Sequence, residues 1–254
     1  MTRSFLIGFI FFAGSMNGLA QGRGGGRGAA PPTARSAAPF DMTGYWVSVV
    51  SEDWRWRMFP NRGDWAGIPL NGQGQTVAGS WDPAKDDAAG EQCKGYGAPG
   101  LMKIPGRFHI TWQDDQTLRI EADAGRQVRT LHFMAAPSEG ANLQGTSKAE
   151  WEFNAPTPGF AIAGGARGGP QPGSLRVTTT NLRSGYLRKN GVPYSTNARL
   201  TEYYDLVNDP TGTYLVLMTT LEDPSYLTQP WITAVHFKKQ ADAAGWNPAP
   251  CASR

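Results

Sequence analysis

Side chains able to do chemistry gather in a few stretches of this 254-residue chain. The segment "NLRSGYLRKNGVPYS", residues 181–195, joins Arg183, Tyr186, Arg188, Lys189 and Tyr194. A tyrosine beside a guanidinium can polarise a carbonyl or phenol oxygen, because a nearby cation lowers the cost of a phenolate. The tripeptide "KNG" in the same segment is a tight-turn signal, so an ordinary polar hairpin fits it as well. In "LEDPSYLTQPW", residues 221–231, Glu222 and Asp223 precede Pro224. Carboxylates at a strand end suit acid–base work, and Tyr226 and Trp231 would wall them with apolar surface. Asp before Pro equally starts a turn. The third stretch, "EDWRWRM", alternates Trp54 and Trp56 with Arg55 and Arg57. Taken as a strand over residues 54–59, it turns both indoles to one side, toward a barrel interior or a layer beneath a long loop. Its arginines point the other way.

The three histidines, His109, His132 and His236, all fall in predicted strands. Three imidazoles can hold a transition metal. None of the three is spaced as His-x-His, so no metal site is expected, and surface or singly hydrogen-bonded roles fit them. His132 remains a candidate proton carrier. The chain has no Gly-x-Ser-x-Gly elbow, dinucleotide fingerprint or Cys-x-x-Cys pair, which disfavours serine or cysteine triads and nicotinamide chemistry. A formal net charge of +3 with no dense basic patch argues against nucleic acid. No cofactor is expected.

These residues need elements to position them. Residues 1–20 read as a secretory signal, with Arg3 before the apolar run "FLIGFIFFAG" and small residues in "NGLA" near the cut. That run is too short to span a bilayer comfortably, and no later stretch is long enough. Residues 21–39, "QGRGGGRGAAPPTARSAAP", lack apolar periodicity and read as a flexible linker. Residues 40–254 then form one all-β domain. Short runs rich in Val, Thr, Leu and aromatics cover residues 44–50, 54–59, 107–113, 117–123, 128–134, 146–153, 174–182, 198–207, 214–221 and 232–239. Tight turns at "QDDQ", "DAGR" and "NDPTGT" join neighbours. An antiparallel barrel of about eight to ten strands follows, because closure removes exposed edges. One long loop, residues 60–106, interrupts the rhythm as a lid or plug. Within it "DPAKDDAAGEQC" predicts a short helix capped by Asp82, with Pro83 in its first turn. The Gly-rich run at residues 161–173 reads as a connection. The only cysteines, Cys93 and Cys251, suggest one disulfide between loop and tail in an exported, periplasmic or secreted chain.

"TGYW", with Gly44 and Trp46, resembles the Gly-x-Trp first strand of lipocalins and other calycins. The resemblance implies a barrel whose tryptophan closes one end, with Arg55 or Arg57 packed on it. "TLRIEADAGRQVRTLHF", "GSLRVTTTNL", "TEYYDLV" and "LEDPSYLTQPW" resemble a group of exported bacterial proteins without an assigned activity. That likeness implies a barrel and a compartment, and no reaction.

Two functional expectations follow. A lipocalin-like barrel would bind a small apolar or aromatic molecule through Trp54, Trp56, Tyr186, Tyr203, Tyr226 and Trp231, with Arg57 or Arg188 meeting an acidic or phenolic end. Alternatively, a cofactor-free lyase, isomerase or cyclase would use Tyr186 with Arg188 to polarise the substrate, and Asp223 or His132 to move a proton.

Overall fold

The computed structural model describes residues 31–57, 59–137, 140–154 and 172–254. The expected signal, residues 1–20, and most of the Gly-rich connection lie outside them, as does residues 21–30 of the expected linker. Pro32–Arg254 form one compact unit. Its first residues, from the end of the linker stretch, lie on the barrel: Trp151 Nε1 donates to the Ala34 carbonyl at 2.7 Å.

Nine strands close a barrel: β1 Gly44–Ser48, β2 Arg107–Asp114, β3 Thr117–Ala122, β4 Val128–His132, β5 Thr146–Phe153, β6 Gly173–Thr180, β9 Arg199–Asp209, β10 Gly212–Glu222 and β11 Trp231–Gln240. Around the ring they run β1-β11-β10-β9-β6-β5-β4-β3-β2. All neighbours are antiparallel except β4 and β5, which pair in parallel at Leu131–Ser147 and His132–Lys148. The predicted turn "DAGR" uses left-handed backbone at Gly125 and Arg126. A two-stranded hairpin, β7 Gly185–Tyr186 and β8 Pro193–Tyr194, carries the "KNG" turn and lies outside the barrel sheet.

Alternation along each strand sends one set of residues inward. Trp46, Phe108, Ile110, Leu118, Ile120, Leu131, Ala149, Val177, Tyr204, Leu217, Val235 and Phe237 pack into one buried apolar cluster. The long loop plugs it: Leu101, Met102 and Ile104 belong to the same cluster. Upstream, the loop folds as α2 Gly72–Gly79, α3 Pro83–Ala88, a 3₁₀ turn at Gln92–Tyr96 and α4 Ala98–Leu101. Asp82 caps α3 as expected, accepting from the Ala84 N–H at 3.1 Å with Pro83 in the first turn. Cys93 and Cys251 form the expected disulfide across a sequence separation of 158.

One predicted strand is a helix. Val50–Arg57 is α1, with Glu52 and Asp53 in its first turn and Arg55 and Arg57 in its last. That charge order complements the helix dipole. The spacing of Asp53 and Arg57 then closes a buried pair at 3.2 Å, which a strand could not make. The indoles consequently diverge by about 200° around the helix. Trp54 is 63% exposed, whereas Trp56 packs edge-on against Trp231 with centroids 6.0 Å apart.

The role expected of Arg55 or Arg57 over Trp46 also goes elsewhere. Lys239, directly across from Trp46 on β11, lies over its ring at 5.1 Å. Arg57 instead covers Phe237 at 4.6 Å.

Candidate functional site

A polar layer crosses the barrel two residues further along the strands that build the apolar cluster. Arg129, Ser147, Thr179, Glu202, Thr219 and Thr233 are all buried there. Arg129 meets Glu202 through two bonds, Nη1 to Oε1 at 3.0 Å and Nη2 to Oε2 at 2.6 Å. Tyr204 donates its hydroxyl to Glu202 Oε1 at 3.1 Å. Thr179 Oγ1 accepts from Arg129 at 3.3 Å and shares a 2.8 Å bond with Ser147. Burial works against the Arg129 charge, yet Glu202 and Tyr204 together hold its pKa above the ordinary value. Burial and then Glu202 push the Tyr204 phenol well up.

Cations from outside the barrel sheet enter the same end. Lys103, in the loop plug, is 5% exposed. Its amine donates to the Pro99 carbonyl at 2.8 Å and lies 4.9 Å from the Trp231 ring. Burial lowers its pKa to about 7; Glu202 opposes the shift, and Arg188, Arg57 and Arg129 add to it. Arg57 donates to the carbonyls of Val49, Met102 and His236 and to Asp53, so it ties α1 to the plug and to β11. Burial brings its pKa to about 10 against the pull of Asp53. Asp53 also accepts from the ring of His236 at 2.8 Å. Arg188 lies over the Trp56 ring at 5.8 Å and donates to the Arg55 carbonyl, while its Nε has no partner among the described residues. Lys189 donates to the Tyr96 hydroxyl at 3.1 Å.

Besides a cleft of about 560 Å³ along Ser51, Glu52, Tyr214 and His236, two clefts beside α1 are bordered by Arg188 among the described residues. One, lined by Trp56, Arg57, Phe59, Lys103, Arg188 and Lys189 among others, has about 10 Å³ of free volume, room for about one water. The other has about 300 Å³ and is lined by Trp54, Arg55, Pro60, Asp64, Ala66 and Arg188. Inside the barrel, apolar side chains from the strands and from the loop pack together in one cluster.

The sequence candidates distribute unevenly over this geometry. Trp56, Arg57, Trp231 and Arg188 converge at the mouth, and Trp54 shares the outer cleft with Arg188. Tyr186 and Tyr226 share a separate cleft of about 170 Å³ with Tyr194 and Lys94. There the Tyr186 hydroxyl donates to Asp86 at 3.2 Å, and burial followed by Asp86 raises its pKa, which keeps the phenol protonated. Asp223 accepts from the Ser195 N–H and hydroxyl, both at 2.7 Å, and from the Ser225 N–H, binding its turn to the end of the hairpin. His132 shares a 3.1 Å bond with Thr130. Tyr203 alternates with the buried Glu202 and Tyr204 and so faces away from the interior. Tyr186, Arg188, Asp223 and His132 therefore share no cleft among the described residues. Nor do the three histidines meet: His109 stacks on Tyr45, and His236 is held by Asp53.

Sequence reasoning missed Lys103, Arg129 and Glu202. A signal existed for two of them. Arg129 has the strand parity of Leu131, and Glu202 that of Leu200 and Tyr204, so opposite charges stood on two apolar faces. Lys103 sits in irregular backbone and gave no such sign.

No family model matches this chain, and neither a curated protein nor a solved structure does.

Proposed function

We propose that this chain is an exported, lipocalin-like barrel that binds a small aromatic molecule carrying one acidic group. The observation that carries this reading is the 300 Å³ cleft where the exposed Trp54 indole stands beside Arg188. An indole offers a stacking face, and a guanidinium matches a carboxylate or phenolate. The volume is at the small end of ligand sites. Asp64 in the same wall favours a single negative charge over two. Export rests on the signal-like residues 1–20 and accords with the Cys93–Cys251 disulfide.

Tryptophan fluorescence of the mature protein, titrated with a panel of aromatic monocarboxylates and phenols, tests this reading. Saturable quenching that is lost in Trp54→Ala and weakened in Arg188→Lys is the expected result. Quenching unchanged in Trp54→Ala would remove the cleft from the proposal. Native mass spectrometry of protein taken from its own host, before and after denaturation, then gives the mass of the natural ligand.

A further inference from the structure

We propose a second, internal site: a small inorganic anion of about chloride size, held between Lys103, Arg57, Arg188 and Lys189 in the narrow cleft behind α1. Four buried cationic side chains line that one cleft. Among the described residues only Arg57 is in a salt bridge, with Asp53, while Asp64 acts on Arg188 and Glu202 on Lys103 from farther off. Among the described residues, the polar partners of the other three are neutral: Lys103 donates to a carbonyl, Arg188 to a carbonyl and Lys189 to a phenol hydroxyl. Glu202, the carboxylate of the polar layer, already binds both terminal nitrogens of Arg129.

Buried charge without a counter-charge is costly, and a protein escapes the cost by neutralising the group or by binding an ion. Two features favour the ion. The buried Arg188 Nε has no partner among the described residues, and a guanidinium, unlike an amine, does not shed its proton. The free volume of about 10 Å³ admits a monatomic ion with slight side-chain adjustment and excludes an organic acid or a phosphate. The Lys103 amine, brought by burial to about 7, is poised so that a neighbouring anion restores its proton. Glu202 on β9, Arg129 on β4, Arg57 on α1 and Arg188 in the hairpin are the charged groups acting on it. The inference does not depend on the ligand of the outer cleft, although Arg188 borders both.

Bromide is the probe. Crystals of the mature protein grown in sodium bromide should show one anomalous peak between Lys103 and Arg188. Thermal unfolding near pH 6 should give a higher Tm in sodium chloride than in sodium gluconate at equal ionic strength, because gluconate does not fit. Lys103→Met should abolish both effects. A wild-type crystal with bromide only at the surface, or equal Tm in the two salts, overturns the proposal. A chloride effect retained in Lys103→Met overturns it too. The bromide map needs no variant, so it decides the matter even if Lys103→Met fails to fold.

Discussion

Two levels of one barrel, built on the same strands, obey different physics. Leu131, Ala149, Val177, Tyr204, Leu217 and Val235 form the apolar level. Two residues along each strand, Arg129, Ser147, Thr179, Glu202, Thr219 and Thr233 replace them. In the first level stability comes from apolar area removed from water and from close packing, so cost scales with lost volume. In the second it depends on each charge and hydroxyl finding a partner, so cost depends on which partner is removed. The apolar level is plugged by Leu101 and Met102 of the loop, while the next residue, Lys103, lies within electrostatic reach of Glu202 and Arg129 in the polar layer.

The sharpest way to break this comparison is Glu202→Ala. It strands Arg129 beside Lys103 and should cost about 3–5 kcal/mol in urea unfolding. Replacing the whole bonded group, Arg129→Met with Glu202→Leu and Tyr204→Phe, should be close to neutral or stabilising, because no buried donor is then left without its acceptor. A mild single mutant would show that water or a shifted neighbour serves Arg129 instead. In the apolar level Leu217→Ala should cost about 2–5 kcal/mol, and Leu217→Met less than about 1.5 kcal/mol. There the conservative swap, not replacement of a whole bonded group, is what rescues.

The disulfide ties the loop plug to the tail, and converting Cys93 and Cys251 together to alanine should cost about 2–5 kcal/mol. The same loss should follow treatment of the wild type with a strong reductant.

A pH series separates the levels again. Without a bound anion, Lys103 titrates near 7 in the folded chain against 10.5 for the ordinary side chain. Between those values the unfolded chain holds the extra proton, so stability should rise with pH through that window. Below pH 7 both states are protonated and the burial cost is present in full. The gain should be on the order of a few kcal/mol, and Lys103→Met should remove this contribution. A wild-type curve identical to that of Lys103→Met would show the amine is not desolvated. The smallest effect belongs outside both levels: Trp54→Ala should change stability by no more than about 0.5 kcal/mol while weakening ligand quenching.

Much of this was legible in the chain. Period-two patterning located nine strands, because one buried face imposes alternation on every one of them. Asp82 before Pro83 announced α3, and two cysteines admitted one pairing. "WRWR" misled, since its alternation fits a strand while Asp53 and Arg57, four apart, fit a helix. Both patterns were present, and only the barrel mouth chose between them, by offering Arg57 the carbonyls of Met102 and His236. Local sequence thus determined strands, turns, cap and disulfide, whose causes lie within a few residues or in cysteine count. Tertiary structure alone decided which charges meet. Arg129 and Glu202 are 73 residues apart, and Lys103 reaches their layer only because a loop enters the barrel. Such meetings depend on closure of the whole ring, which no local pattern encodes.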